Sequence, residues 1–198
     1  MPFPRLVRTK EPNESALGER SDDELMALTR AGMRSAFATL VGRHAERVVR
    51  TCCRFVNDPQ LGSELAQDIW VLVWQGRDKY QADGSFIPWL VTVARNHCRN
   101  ELRRAKIVVA KDGIDTLAED ASPAAGALDS LLVEERRSRV RSALAQLPAQ
   151  LREALLLRYA EELCYDEMTG VLGAGESTLR SRVHHGLKAL KLKLEEES

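Results

Sequence analysis

The sequence lacks the features by which several classes of protein are usually recognised. Lysine plus arginine equals aspartate plus glutamate at 29 each, so no bulk charge indicates a nucleic-acid or membrane partner. No apolar run approaches the roughly 18 residues needed to cross a bilayer, and the first residues lack the apolar core of a signal peptide. We therefore predict a cytoplasmic protein with no membrane insertion, in which any nucleic-acid binding depends on local segregation of charge.

Cysteine is scarce and its spacing is uninformative. The four cysteines are Cys52, Cys53, Cys98 and Cys164, with no CxxC pair among them. This pattern argues against a disulfide framework or a structural zinc site, so no metal is predicted. We expect these cysteines to be small, buried thiols. A metal-binding or redox-sensing cluster of Cys52, Cys53 and Cys98 with His97 is an alternative that the spacing does not require.

Catalytic motifs are also missing from the sequence. It contains no glycine-rich nucleotide-binding motif, no paired catalytic carboxylates and no nucleophile with a nearby base at a recognisable spacing. We therefore predict a protein that is not an enzyme and needs no cofactor.

Helical periodicity runs through most of the chain, and 44% of its residues are apolar, as in ordinary globular proteins. Residues 1–20 mix polar residues, proline and glycine without periodicity and are predicted to form a flexible extension. Helical patterns then fill residues 21–105 and 131–198. Residues 106–130 lose the periodicity and contain Asp-Gly and Ser-Pro turn signals. The predicted fold is all-α, with two helical domains joined by a flexible linker.

Helix ends are marked in several places. Ser21 with Glu24 three residues later has the pattern of a capping box, which predicts a helix start. Asn57-Asp58-Pro59 predicts the end of one helix and the start of the next.

The stretch 86–104 has one apolar side and one basic side at helical spacing. Arg95, Arg99 and Arg103 stack at intervals of four residues, opposite apolar residues such as Trp89 and Leu90. Like charges at this spacing repel one another, and a phosphate backbone would relieve the repulsion. A solvated basic face is the alternative.

An acidic stripe lies on the preceding helical stretch, about residues 60–76. Glu64, Gln67 and Asp68 share one face, and the helix becomes almost wholly apolar after them. We expect this stripe to be a docking face for a basic partner surface, the alternative being an exposed rim with nothing docked.

The carboxy-terminal part of the sequence has the layout of a helix-turn-helix. A short helix around 165–172 is followed by Gly173-Ala-Gly-Glu176 and a last helix that reaches about Leu194. Leu179, Val183, Leu187, Leu190 and Leu194 are predicted as its core stripe. Its other sides carry residues able to contact bases and phosphates, namely Ser177, Thr178, Arg180, Ser181, Arg182, His185 and Lys188.

Three segments together resemble a known family. Leu65-Ala-Gln-Asp-Ile-Trp-Val-Leu-Val-Trp74 is similar to the polymerase-binding segment of bacterial extracytoplasmic-function sigma factors. Phe86-x-x-Trp89-Leu90 with Ala94-Arg95-Asn96 and Leu102-Arg103-Arg104 is similar to their promoter-melting helix. The segments from Leu147-Pro148 to Ser177-Thr-Leu-Arg-Ser-Arg182 are similar to their helix-turn-helix domain. The family's valine-serine pair after the turn glycine is replaced here by Ala174-Gly175, so the last helix is expected to begin at Glu176 or Ser177.

The resemblance implies roles for these surfaces. The protein would be a promoter-specificity subunit that binds core RNA polymerase and promoter DNA, with an anti-sigma factor as a further partner. Glu64, Gln67, Asp68 and Trp74 would dock on polymerase. The loop residues Gln81, Asp83 and Ser85 would take a flipped base of the −10 element, helped by Asn96 and by the phosphate contacts of Arg95, Arg99 and Arg103. The last helix would read the −35 element, and His97 would be a core histidine.

Two rival functions stay open at this point. One is a stand-alone helix-turn-helix regulator that binds operators without joining polymerase, for which the segment 64–74 would have no use. The other is a helical protein-interaction or redox-sensing adaptor, in which the basic faces would be incidental.

Overall fold

The computed structural model describes residues 17–81, 85–112 and 128–196, and these residues form a helical architecture. Their side chains are described as well, except those of residues 106–112 and 128–134. The first domain contains α1 (Asp22–Arg30), α2 (Arg34–Val56), α3 (Pro59–Gly76), a 3-10 turn (Arg77–Lys79) and α4 (Phe86–Asp112). The second contains α5 (Leu128–Ala145), α6 (Ala149–Leu155), a π-helical turn (Leu156–Ala160), α7 (Tyr165–Leu172) and α8 (Glu176–Glu196). These elements confirm the predicted all-α fold.

The predicted helix start at Ser21 is confirmed in full. The Ser21 hydroxyl accepts a hydrogen bond from the Glu24 backbone N–H at 3.2 Å, and the Glu24 carboxylate accepts one from the Ser21 N–H at 2.8 Å. Each bond satisfies a backbone donor that has no partner within the helix. The capping box therefore fixes where α1 begins.

The turn between α2 and α3 follows from its three residues. Asn57 ends α2 in the left-handed conformation, at φ 57°, which asparagine tolerates better than most residues. The Asp58 carboxylate then accepts hydrogen bonds from the N–H groups of Gln60 (2.9 Å) and Leu61 (3.0 Å). Pro59 occupies the first helical turn, where a missing N–H costs nothing. The predicted stop and start are both confirmed.

The core of the first domain forms around α2, which packs on α1, α3 and α4. His44 of α2 is buried in this core, and its Nε2 lies 2.9 Å from the Asp22 carboxylate of α1. The apolar side chains that are almost completely buried are Leu25, Met26, Leu40, Val48, Ile69, Val73, Leu90 and Val91.

Leu17 also belongs to this core, with no exposed surface. The predicted flexible extension is therefore wrong at its carboxy-terminal end, because a single leucine buried against the bundle orders the residues next to it. Residues 1–16 lie outside the described residues.

The segment predicted as a linker is partly helical. The helix α4 continues to Asp112, and α5 begins at Leu128, so both helices enter the range 106–130. The sequence loses its apolar periodicity near Ala105, but arginine, alanine and lysine favour helix and no glycine interrupts the chain before Gly113. Intrinsic helix propensity therefore explains why α4 extends beyond the end of its amphipathic pattern. Residues 113–127 lie outside the described residues.

The second domain packs α8 against α5, α6 and α7. Leu179 and Val183 are buried as predicted, whereas Leu187 is 42% exposed. Gly186 takes the core position instead: a Cβ on this residue would lie 3.0 Å from the Leu155 Cγ. Because Gly186 has no side chain, α8 lies close to Leu155 at this position, and the side chain of the next residue, Leu187, stays exposed. Among the described helices, none is long and apolar enough to cross a membrane.

Candidate functional site

The acidic stripe of α3 lies on the surface. Glu64, Gln67 and Asp68 are all exposed, at positions that one helical face brings together. Gln60 donates a hydrogen bond to the Glu64 carboxylate at 3.4 Å, and Asp68 lies 3.4 Å from the ring of His97 on α4. Two carboxylates therefore face solvent over a buried apolar side, as a docking surface for a cationic partner requires.

Val71 extends the same surface and was missed in the sequence, where it stands inside an apolar run. Its side chain is 56% exposed, one turn beyond Gln67 and Asp68. Helical spacing from those two residues is the signal that would have found it. We name Glu64, Gln67, Asp68 and Val71 the α3 surface.

Trp74 is half-buried rather than displayed on this surface. Its ring contacts Phe37 edge to face at a centroid distance of 5.1 Å, and the Arg77 guanidinium lies 4.6 Å from its centroid. The Trp74 ring therefore packs between α3 and α2. Any contact that Trp74 makes with a partner must use the remaining edge.

His97 is not the core histidine that the sequence predicts. Its side chain is 18% exposed and faces Asp68 across the junction of α3 and α4. The imidazole is packed at the rim of the first domain, where its polar edge can meet a carboxylate.

The loop before α4 and the exposed side of that helix carry most of the predicted −10 residues. Gln81 is exposed, Ser85 is half-buried just before α4, and Asn96 is exposed on α4, about three helical turns after Ser85. Arg99 and Arg103 are exposed as predicted. Asp83 lies outside the described residues.

Arg95 departs from the predicted basic stripe. Its side chain is only 9% exposed, and its Nη2 lies 2.6 Å from the Glu153 carboxylate of α6. The stripe prediction considered one helix alone, whereas α4 has the second domain packed over its central turns. In this conformation Arg95 is a buried partner of a carboxylate.

A cleft of about 780 Å³ opens beside this ion pair, between the two domains. Arg99 and Arg103 line it from α4, Arg152 from α6 and Arg182 from α8. Guanidinium groups from both domains thus face one polar space, which the Glu153 carboxylate neutralises only in part.

The helix-turn-helix forms as predicted. Gly173 ends α7 in the left-handed conformation, at φ 63°, and its N–H donates to the Thr169 carbonyl at 2.8 Å. The last helix begins at Glu176, one of the two expected positions. Arg182 is half-buried, and the other predicted contacts are exposed: Ser177, Thr178, Arg180, Ser181, His185 and Lys188.

Two contacts within the second domain orient the Arg180 side chain in the absence of DNA. Its Nε lies 3.0 Å from the Glu176 carboxylate, and its guanidinium lies 4.3 Å from the centre of the Tyr165 ring. A cation over an aromatic face is attracted to the ring and loses rotational freedom there. Tyr165 on α7 therefore orients a side chain on α8, a relationship the sequence did not reveal.

The cysteines do not assemble a reactive site. Cys52 and Cys98 are buried, and hydrogen bonding between their side chains together with burial raises the pKa of the Cys52 thiol. A thiol held in its protonated form is a poor nucleophile and a poor metal ligand. Among the described residues, no group of three or more His, Cys, Asp or Glu side chains could hold a metal ion.

Comparison with known proteins agrees with this arrangement. Residues 40–107 match the family described as Sigma-70 region 2, and residues 137–190 match Sigma-70, region 4. The RNA polymerase sigma factor CarQ of Myxococcus xanthus is 34% identical over 82% of this chain and 91% of its own. The ECF RNA polymerase sigma factor SigK of Mycobacterium sp. (strain JLS) is 31% identical over 79% of this chain and 81% of its own.

A solved structure shares the fold. It is the sigma factor RpoE in complex with the anti-sigma factor NepR from Bartonella quintana, with a TM-score of 0.68 and 24% identity over 80% of this chain and 96% of that one. The two family matches, with relatives more than 30% identical that are themselves RNA polymerase sigma factors, define a transcription initiation protein. The chain belongs to the extracytoplasmic-function group of the sigma-70 family.

Family membership establishes the general function. The protein is a promoter-specificity subunit that binds core RNA polymerase and directs initiation at promoter DNA, and it belongs to a class of generally non-enzymatic initiation factors. The stand-alone regulator considered from the sequence is not supported.

Proposed function

We propose that the α3 surface is the part of this chain that docks on core RNA polymerase. The observation that carries the proposal is the exposure of Glu64 and Asp68 on a helix whose other sides are buried. Val71 supplies exposed apolar area next to the acidic positions, one turn beyond Asp68, so the surface can combine burial with charge complementarity. Trp74 contributes through its exposed edge.

The loop before α4 and the exposed side of α4 form the proposed −10 surface. Gln81, Asp83 and Ser85 of the loop would hold a base extruded from the duplex, and the Asn96 amide of α4 would help them. Arg99 and Arg103 would neutralise phosphates beside the melted bases, and so would Arg95 once it is released from Glu153. Salt-dependent promoter opening follows from this arrangement.

The exposed side of α8 is the proposed −35 surface. Ser177, Thr178, Ser181 and His185 can contact base edges in the major groove. The cationic groups of Arg180, Arg182 and Lys188 surround them and are suited to the phosphates on either side. We assign specificity to the first group and affinity to the second.

Three further properties complete the proposal. The protein carries out no covalent chemistry of its own and acts in the cytoplasm, where bacterial transcription takes place. An anti-sigma factor is a proposed partner, supported by the Bartonella quintana structure, in which the sigma factor of similar fold is bound to one.

The α3 surface can be tested by charge reversal. We expect Glu64→Lys with Asp68→Lys to weaken association of the full chain with core polymerase, while its unfolding midpoint stays unchanged. A matched control is Glu46→Lys with Asp78→Lys, which makes the same change in net charge at exposed positions outside the surface. Equal weakening in both double variants would contradict the proposal, because charge alone would then explain the loss.

A further inference from the structure

The cleft between the two domains has a net positive lining. Its charged lining residues are five arginines and one glutamate, so the formal charge of the lining is +4. The arginines belong to helices of both domains: Arg95, Arg99 and Arg103 to α4, Arg152 to α6 and Arg182 to α8. A chain with equal numbers of basic and acidic residues therefore concentrates cationic groups around this space.

Most of this charge has no counter-charge in the protein. Among the described residues that line the cleft, Glu153 is the one carboxylate, and Arg95 donates to it through Nε at 2.9 Å and Nη2 at 2.6 Å. In the part of the chain that the structure describes, Arg99, Arg103 and Arg182 have no hydrogen bond or ion pair. Each of these guanidinium groups has five N–H donors. The cleft is thus lined by cations that a ligand can still engage.

Further donors line the same space. Amide side chains are supplied by Asn96, Asn100 and Gln150. The Asn96 carbonyl oxygen accepts a hydrogen bond from Arg95 Nη1 at 3.3 Å, so the NH2 group of Asn96 is the part that remains to donate. One nitrogen of Arg152 donates to the Ala145 carbonyl at 3.2 Å, which orients that guanidinium and leaves its other donors for a ligand. The cleft is rich in donors, as a site for an anion requires.

The size and the charge of the cleft together define the class of ligand. Its volume of about 780 Å³ lies within the range of small-molecule pockets, about 300–1,000 Å³. A single phosphate ester carries a charge of about −1.5 to −2 at pH 7, so two or more phosphates are needed to match a lining of +4. Arginine binds phosphate bidentately, which favours phosphates over other anions. Half-buried Leu102 and Leu172 add apolar wall on which a nucleoside could pack.

We propose that this cleft is a binding site for a small oligophosphate, either a free chain of phosphates or the phosphate chain of a nucleotide. Arg99 and Arg103 bind the phosphates from the first domain, and Arg152 and Arg182 bind them from the second. One ligand then contacts both domains. The site goes beyond promoter recognition and does not depend on the proposed contacts of these arginines with DNA.

Calorimetric titration of the full-length chain tests the site directly. Sodium tripolyphosphate and adenosine triphosphate are the two probes, each at an ionic strength of about 0.15 M, where exposed charges are largely screened. We expect each probe to bind saturably at one site per chain. Each should also raise the unfolding midpoint, because a ligand that binds only the folded chain stabilises it. Sulfate at the same ionic strength should do neither, since one small dianion cannot contact guanidinium groups of both domains.

Substitutions in each domain test whether the ligand spans the cleft. Arg103→Gln on α4 and Arg182→Gln on α8 should each weaken tripolyphosphate binding about fivefold or more, as expected for the loss of one charge-assisted contact. The matched controls are Arg30→Gln and Arg34→Gln, which remove the same charge from exposed positions outside the cleft. Both controls should bind tripolyphosphate as the wild type does.

Circular dichroism and the unfolding midpoint without ligand identify any variant that has lost its fold. Arg99→Gln then replaces Arg103→Gln, and Arg152→Gln replaces Arg182→Gln, so each domain keeps a usable variant. The two probes distinguish the possible sources of the ligand. Clearly tighter binding of adenosine triphosphate would identify a nucleotide site, whereas equal or weaker binding would identify a site for the phosphate chain alone, and either result supports the proposal.

Four results would overturn it: no saturable binding of either probe, an equal rise of the unfolding midpoint with sulfate, equal weakening in the control variants, or weakening confined to variants of one domain. The last result would show that the ligand does not span the cleft. No DNA is present in these measurements, so a failure of the oligophosphate site leaves the proposed promoter contacts untouched.

Discussion

Gly62 of α3 lies directly against the backbone of Cys53 of α2, so close that a Cβ on Gly62 would stand 2.5 Å from the Cys53 Cα. The obstructing atoms belong to a helix backbone, which cannot rotate away as a flexible side chain can. The absence of a side chain at position 62 is therefore what lets α2 and α3 pack at this distance. Since α3 carries the proposed polymerase-docking residues, the glycine also positions that surface.

We predict that Gly62→Ala destabilises the protein by about 1–3 kcal/mol or more, the cost of overpacking a core that cannot yield easily. Gly42→Ala is the matched control: it lies within α2 with nothing within 4 Å of its Cβ position. Alanine should there stabilise the helix by about 0.5–1 kcal/mol. Urea unfolding measures both changes. A Gly62→Ala variant as stable as the wild type would show that the two helices separate without cost.

The packing of the second domain against the first depends on pH through Glu161, whose carboxylate accepts a hydrogen bond from Thr51 of α2. Burial raises the pKa of this carboxyl group, against the lowering effects of the Thr51 hydrogen bond and of Arg47, Arg54 and Arg50. If the two domains separate, the carboxyl group faces water and has a lower pKa, so the chain with packed domains, here called closed, binds the proton more tightly. The closed arrangement is thus favoured as the pH falls, and it weakens as the pH rises through the raised pKa.

We predict that the radius of gyration of the free chain increases with pH, and that Glu161→Gln removes this dependence by staying closed at high pH. The amide keeps an acceptor for Thr51 without the cost of a buried charge. Scattering from acidic to mildly alkaline pH measures the effect. If Glu161→Gln opened the chain instead, attraction to the arginines would outweigh desolvation, and the predicted sign would be wrong.

His44 gives a second prediction, of opposite sign, for the unfolding of the first domain. Burial lowers the pKa of His44, and this effect exceeds the raising effect of Asp22, while Arg43 and Arg47 lower the pKa further. The unfolded chain therefore protonates at a higher pH than the folded one. The stability that His44 contributes is present above its unfolded pKa of about 6.5 and is lost as the pH falls toward the lowered value.

The measurement compares urea unfolding of the wild type and His44→Gln at several pH values between neutral and mildly acidic. We expect the wild type to lose stability more steeply than the variant across this range. Asp22 is left in place in both proteins, so its ion pair with Arg43 is unaffected in the comparison. Parallel curves for the two proteins would show that His44 titrates alike in the folded and unfolded chains.

The sequence predicted what depends on local chemistry. The capping box at Ser21, the helix boundary at 57–59 and the turn at Gly173 follow from rules that involve neighbouring residues alone. The same rules, with helical periodicity, predicted the acidic stripe of α3 and the exposed residues of α8. Most of the fold, and the surface exposure of most candidate site residues, could therefore be predicted from the sequence.

The wrong predictions concern residues whose burial depends on a part of the chain that is distant in sequence. The spacing of Arg95 places it in a basic stripe, but an ion pair with Glu153, 58 residues away in the sequence, buries its side chain. Leu187 fits the core stripe of α8, but the close approach at Gly186 leaves it exposed. In the sequence Val71 belongs to an apolar run, yet its side chain is 56% exposed. Periodicity describes one helix and contains no information about which neighbour covers which face.

The contact between Tyr165 and Arg180 leads to a prediction about the −35 surface. We expect Tyr165→Leu to lower the affinity of the holoenzyme for a promoter with an intact −35 element by about two- to fivefold, as a cation–π interaction of about 0.5–1 kcal/mol implies. The reason is that Arg180 must then be ordered at the moment of binding. Tyr165→Phe keeps the ring face and should retain the wild-type affinity. Because phosphate contacts do not depend on the base sequence, the loss should be similar on promoter fragments with an intact and with a scrambled −35 element. A loss confined to the intact fragment would contradict the assignment of Arg180 to phosphates, and an equal loss in Tyr165→Phe would show that the ring face does not orient Arg180.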